Sequence, residues 1–204
     1  MASSTSTPKV NKLGIAGAGG IGSFVAANLF NYGAIRDQFP FTSMQIDIFD
    51  DDIVDASNLL HQNFADEDVG KYKADLCADK FGMTAQKRFM TKKDFKNYDV
   101  VISCVDSMTF RKDLYEYGFE NPELFWIDGR CTSRSIGLMH SKLPKASLEQ
   151  EISNSKERTG CLLSFEKEKK ISHVTPQIVA TMIVQTYLNY IRGDLQAEKI
   201  KLII

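Results

Sequence analysis

Four glycines, Gly17, Gly19, Gly20 and Gly22, fall between a short apolar run at residues 13–16 and a helix-like run at residues 24–30. Glycine lets the backbone come close to a phosphate, and the N–H groups that open a helix face it with partial positive charge. The same spacing also suits a tight strand-to-helix turn that binds nothing, so other residues must decide. Asp50, Asp51 and Asp52 close a second apolar run. An acid there can accept hydrogen bonds from a ribose or simply lie in a solvated loop. Lys73 opens a predicted helix, where its charge opposes the helix dipole; an anionic partner is one reading, and a solvent-facing lysine is the common alternative. Asp106 ends a β-branched run, Ser107 is able to cap the helix that follows, and Arg111 lies one turn inside that helix.

Positioning such residues requires a layered α/β scaffold. The alternation of elements predicts a Rossmann-like fold with a mostly parallel central sheet flanked by helices. The strand at 13–16, the glycine turn, the helix and the strand at 44–49 make one βαβ unit, joined by a polar connection at 31–43. Residues 53–70, IVDASNLLHQNFADEDVG, present Asn58, His61 and Gln62 before a helix at 73–81. Further strands are expected at 86–90, 98–104, 125–128 and 135–143, with a short helical link at 92–97 and a helix at 107–119. The run DVVISCVD is apolar enough for a strand buried on both faces, which puts Asp106 at the carboxyl edge where open α/β sheets hold ligands. Residues 144–170 are charged and aperiodic and read as a late mobile crossover. Apolar positions return at helical spacing over 176–192, with Gly193 as the stop and a last strand within 195–204. Residues 1–11 read as a mobile leader and 12–204 as one domain.

With 204 residues the chain can bury one substantial core, and its formal charge of −1 argues against a nucleic-acid surface. The cysteines Cys77, Cys104, Cys131 and Cys161 are widely spaced, with no C-x-x-C pair. Without a signal peptide or a membrane-length apolar run, a reduced cytoplasmic protein is expected.

GAGGIGS at 17–23, the D-x-D at Asp50 and Asp52, SNLLHQNF at 57–64, DVGKYKA at 68–74 and DSMTFR at 106–111 resemble, in order and spacing, the ThiF/MoeB/HesA family and the adenylation domains of E1 ubiquitin-activating enzymes. The resemblance runs from about residue 13 to residue 193. It implies ATP-dependent adenylation of a carboxylate, usually the C-terminal carboxylate of a ubiquitin-like or sulfur-carrier protein, by a homodimer that uses Mg²⁺. Carried onto this chain, it implies that the glycine turn cradles the phosphates and that Asp50, beside Asp52, takes the ribose. Asn58 and Gln62 hold the phosphate tail and Lys73 puts a point charge on it. Asp106 holds Mg²⁺, Ser107 stands in place of the usual asparagine, and Arg111 matches the family arginine.

The pattern departs from the family at three places. His61 occupies a position where arginine is usual, and histidine, with a reference pKa of about 6.5, is mostly neutral at pH 7. Residues 1–12 contain no arginine to reach across a dimer; Arg36, Arg130 and Arg134 are the candidates to compensate. The two C-x-x-C pairs of zinc-holding relatives are missing, so no structural zinc is expected. Cys161 lies where some relatives place a sulfur nucleophile, with Cys131 the lesser candidate; each has the alternative of a small buried residue. His140 and His173 read as structural.

Three functions fit to different degrees. An E1-like adenylyltransferase uses every motif. A nucleotide-binding but inactive E1-like interaction subunit accounts for the exchange at His61. A nicotinamide-dependent oxidoreductase explains the glycine turn but leaves Lys73 and Asp106 without a task.

Overall fold

Alternation along the central strands sets the two faces of the sheet. In the computed structural model, which describes residues 8–35, 44–154, 174–196, 198 and 200–203, the strands are β1 (Lys12–Ala16), β2 (Gln45–Phe49), β3 (Thr84–Gln86), β4 (Val100–Ser103), β5 (Phe125–Thr132), β6 (Ser135–His140) and β7 (Ile200–Ile203). They form one sheet in the order β3-β2-β1-β4-β5-β6-β7. The pairs from β3 to β5 are parallel, and β6 and β7 are added antiparallel. This is the expected Rossmann-like α/β fold.

On one face Leu13, Ile15, Ile48, Val100, Ile102, Phe125 and Ile127 pack under helix α1 (Gly22–Ile35) and helix α5 (Thr175–Arg192), which contribute Val25, Leu29, Val179, Ile183 and Tyr187. On the other face Ala16, Phe49, Val101 and Trp126 meet Leu114 and Tyr115 of helix α3 (Met108–Glu120). Tyr115 stacks on Trp126 with ring centroids 4.5 Å apart. Helix α2 (Lys73–Phe81) ends at Gly82, whose φ of +66° closes it in the left-handed region. Gly193 does the same for α5 at φ +75°. Among the described residues, no helix is long and apolar enough to cross a membrane.

Four expectations need correction. The third strand is Thr84–Gln86 rather than 86–90; the chain leaves the sheet after Gln86 because Met90 is buried beneath it, where a Cβ on Gly14 would meet Met90 Cε at 2.6 Å. The fifth strand runs on to Thr132, since antiparallel β6 supplies hydrogen-bond partners from Ile127 to Thr132. Residues 145–154 are not an irregular crossover: helix α4 (Lys145–Asn154) forms there and buries Leu148 in the second core, while 155–173 lie outside the described residues. Residues 10 and 11, expected in the leader, are held against the domain, and residues 1–7 lie outside the described residues. Val10 is buried, and the N–H groups of Asn11 and Lys12 donate to Asp99 Oδ2 at 2.8 and 2.9 Å.

Candidate functional site

The carboxyl ends of β1, β2 and β4 open onto a cavity of about 1090 Å³. Its floor is the glycine turn. Gly17 has φ +91° and donates its N–H to Phe49 O at 2.8 Å, which ties the turn to β2. Gly22 stands behind the turn as the first residue of α1; a Cβ there would collide with the Gly17 carbonyl. Gly19 and Gly20 line the cavity, and a Cβ on Gly19 would have no neighbour closer than Gln62 Nε2 at 4.0 Å. These glycines thus do different work: Gly17 and Gly22 permit the turn, and Gly19 leaves open space above it.

Asp50 is 8% exposed beside the turn. Its Oδ2 accepts the Ala18 N–H at 2.6 Å and its Oδ1 accepts the Asp52 N–H at 2.9 Å. Burial pushes its carboxyl above the ordinary value, against the lowering by those two N–H groups and by Lys73. Each oxygen keeps lone-pair capacity for a further donor.

The stretch between β2 and α2 folds back on itself. Val54 N–H donates to Lys71 O and Gly70 N–H to Val54 O, at 2.8 and 2.9 Å. Within it Asp55 caps a 3₁₀ turn, Ala56–Leu60: its Oδ1 accepts from Ser57 N–H while Asn58 Oδ1 accepts from Asp55 N–H. Asn63 N–H donates to Ser23 Oγ at 3.0 Å, which pulls the loop onto α1 and brings His61 and Gln62 to the cavity wall. Gln62 Oε1 is buried with no hydrogen-bond partner among the described residues. Lys73, first residue of α2, is 5% exposed and lines the same cavity, so it does not extend into solvent.

Across the cavity Ser107 caps α3, its Oγ accepting Phe110 N–H at 3.3 Å, and Asp106 is exposed one residue earlier. Arg111 is 7% exposed. Its Nε donates to Asp128 Oδ1 at 3.1 Å and its Nη2 to Val105 O at 2.6 Å. Asp128 is fully buried and also accepts from Ser103 Oγ, Tyr115 Oη and Arg130 Nε. Burial acts to raise its carboxyl pKa, but the Arg111 and Arg130 guanidinium groups beside it hold it below the ordinary value.

Asp128 is not among the site residues expected from the sequence. The signal available was a D-G-R triplet ending an apolar run, with a second arginine near the start of the preceding helix. Arg130 does reach the cavity, whereas Arg134 sits exposed after β5. Arg36, Cys161 and His173 lie outside the described residues. Cys104 and Cys131 line the cavity and are partly buried; Cys77 is buried, and burial pushes its thiol up to about 12. His140 is buried in β6, where burial lowers its pKa.

Of the predicted site residues within the described regions, Gly17, Gly19, Gly20, Asp50, Asp52, Asn58, His61, Gln62, Lys73, Asp106, Ser107 and Arg111 share this one cavity. The arrangement suits a nucleoside polyphosphate. There is room over Gly19, a buried acid stands beside the turn, a lysine lines the wall, and a buried amide oxygen has no partner among the described residues. Asp106 offers the hard oxygen donor that Mg²⁺ favours.

The ThiF family model matches residues 9–202. No curated protein matches the chain by sequence. Among solved structures, PaaA is 16% identical over 95% of this chain and 61% of its own, with a TM-score of 0.67. The E. coli MccB structure with ATP is 15% identical over 95% of this chain and 60% of its own, also at 0.67. E. coli TcdA, a tRNA N6-threonylcarbamoyladenosine dehydratase, is 18% identical over 90% and 86%, at 0.63. The chain therefore spans about three fifths of the length of PaaA and MccB.

Proposed function

We propose that this chain, which belongs to the ThiF family, is an ATP-dependent adenylyltransferase that activates a carboxylate as an acyl-adenylate. The observation that carries this reading is the convergence of the glycine turn, Asp50, Lys73 and Asp106 on one cavity at the carboxyl edge of the sheet. A carboxylate oxygen of the substrate attacks the α-phosphorus of ATP, and the bond to pyrophosphate breaks. Positioning and charge neutralisation are what a protein contributes to such a step.

In this reading the N–H groups of the turn and the Lys73 ammonium bind the phosphates, and Asp50 accepts the ribose hydroxyls. Asn58 and Gln62 orient the phosphate tail. Asp106 would hold Mg²⁺, which supplies charge neutralisation at the phosphate oxygens when bound. The carboxylate belongs to a ubiquitin-like or sulfur-carrier polypeptide, and the enzyme works as a homodimer in the cytoplasm. Among the structural neighbours, one MccB structure contains AMPCPP and MccA, and TcdA is named for a tRNA nucleoside, so their names point to different kinds of partner.

A second reading is favoured by the state of the cations. Arg111 and Arg130 are both tied to Asp128, and His61 stands at a place where the family carries arginine. With fewer charges left for the phosphates, the chain would bind a nucleotide and serve as an inactive partner of a second subunit.

ATP–pyrophosphate exchange with ubiquitin-fold proteins and peptides bearing free C-terminal carboxylates separates the two. Partner-dependent exchange that disappears in Asp106→Ala is the expected result. ATP binding without exchange for any partner favours the inactive subunit, and NAD binding with no ATP binding overturns both.

A further inference from the structure

At about 1090 Å³ the cavity stands above the usual range for a single small ligand, about 300–1,000 Å³. The glycine turn, Asp50 and Asp106 lie where β1, β2 and β4 end, whereas Arg130, Gly137 and Lys201 line the cavity from β5, β6 and β7. These three are in register: Arg130 pairs with Gly137, and Gly137 pairs with Lys201. Residues directly opposite in antiparallel strands point to the same face of the sheet. Ile136 and Leu138, on either side of Gly137 in β6, are buried in the core under α1 and α5. Arg130 and Lys201 therefore project from the opposite face, with Gly137 between them. Two strand spacings of about 4.8 Å put the Cα atoms of the two cations about 10 Å apart. The floor between them is bare, since a Cβ on Gly137 would meet nothing closer than Arg130 Cβ and Ile200 O, each at 4.0 Å.

The two cations differ in how they are held. The Arg130 side chain is 20% exposed; its Nε donates to Asp128 Oδ2 and its Nη2 to Tyr115 Oη, each at 2.7 Å. Lys201 is exposed on the edge strand β7. We propose that Arg130 and Lys201 make this chain selective for acyl partners that carry an acidic side chain, which lies over Gly137 between the two cations. This rests on the adenylation reading above and adds to it the charge of the polypeptide. A guanidinium fork and an ammonium both pair with a carboxylate, and the glycine lets that carboxylate come down to the sheet. The position of the acidic residue follows from the strand order, in which β6 is the third strand from β1. That is about 14 Å at about 4.8 Å per strand, and an extended peptide covers about 3.3 Å per residue, so the acidic residue falls about four residues before the reacting carboxylate.

The test is fluorescence anisotropy of the full chain with three labelled heptapeptides that end in a free Gly-Gly carboxylate and differ only in Glu, Gln or Lys four residues before the end. The Glu peptide is expected to bind about tenfold more tightly than the Gln peptide, with the Lys peptide weakest. Lys201→Glu, a change on an exposed side chain, is expected to place the Lys peptide above the Glu peptide and to leave calorimetric ATP affinity within about twofold of the parent. Equal affinity for the three peptides, or an unchanged order in Lys201→Glu, overturns the selectivity. A loss of ATP affinity in Lys201→Glu as large as its loss for the Glu peptide assigns the cations to the nucleotide and also overturns it. A parent chain that binds ATP but none of the peptides overturns the acidic-partner role while leaving the nucleotide site standing. Binding of neither ATP nor peptide overturns the adenylation reading as well.

Discussion

Lys73 Nζ lies 2.8 Å from Asp52 Oδ2, joining an ammonium whose side chain is 6% exposed to a carboxylate that is 64% exposed. The Lys73 N–H also donates to Asp52 O at 3.0 Å, so the end of β2 and the start of α2 are fastened at one point. An exposed partner adds little stability to such a pair, which leaves the lysine available to an incoming anion. Lys73→Met should raise the Kd for ATP by about 10- to 100-fold, the range of a lost charge-assisted hydrogen bond. The Tm should move by no more than about 4 °C. Unchanged affinity in the same titration would reduce the lysine to a structural tie.

The glycines of the turn should separate by phenotype. Gly22→Ala drives a Cβ into the Gly17 carbonyl and should destabilise the fold by about 3 kcal/mol or more in urea unfolding. Gly19→Ala meets open space, so its unfolding midpoint should match that of the parent. Its methyl occupies the room proposed for a phosphate, and ATP affinity should fall by about tenfold. Equal ATP affinity in Gly19→Ala and the parent would show that the phosphates lie elsewhere.

Asp128 is the hinge of the acid response. Asp128→Asn removes the carboxylate that faces the buried Arg111 guanidinium and should cost about 3–5 kcal/mol of stability. Asp94 carries the same sign on a more open site: hydrogen bonding from Arg88 holds its carboxyl at about 2. Both groups bind a proton less readily in the folded chain than in the unfolded one, so their stabilisation is complete above the unfolded carboxyl pKa of about 4 and is lost as pH falls through the folded values. The Tm should therefore fall between about pH 4 and pH 2, less steeply in Asp94→Asn than in the parent. Parallel acid limbs in the two proteins would rule out this assignment.

His61→Arg restores the residue usual in the family on a loop already docked to α1 through Ser23 Oγ. A permanent, two-pronged charge at the cavity wall should raise the rate of ATP–pyrophosphate exchange by about tenfold. An unchanged rate would mean that the cations already present supply the charge.

The sequence by itself determined the sheet centre, the glycine turn, the acids ending β2 and β4, the cap at Ser107 and the stop at Gly193. These follow from apolar periodicity, from the missing Cβ at the turn and from local capping, all of which act within a few residues. Only the tertiary structure decided what spans long stretches of chain. Helix α4 emerged from a charged segment because Leu148 finds a core built from distant strands. β3 ended at Gln86 because Met90 dives beneath Gly14, and β5 ran on because β6 pairs with it. Asp128 gained its place from Arg111, 17 residues back along the chain, and from Arg130 beside it. A buried charge takes its meaning from the partners that folding brings to it, and no local pattern records that meeting.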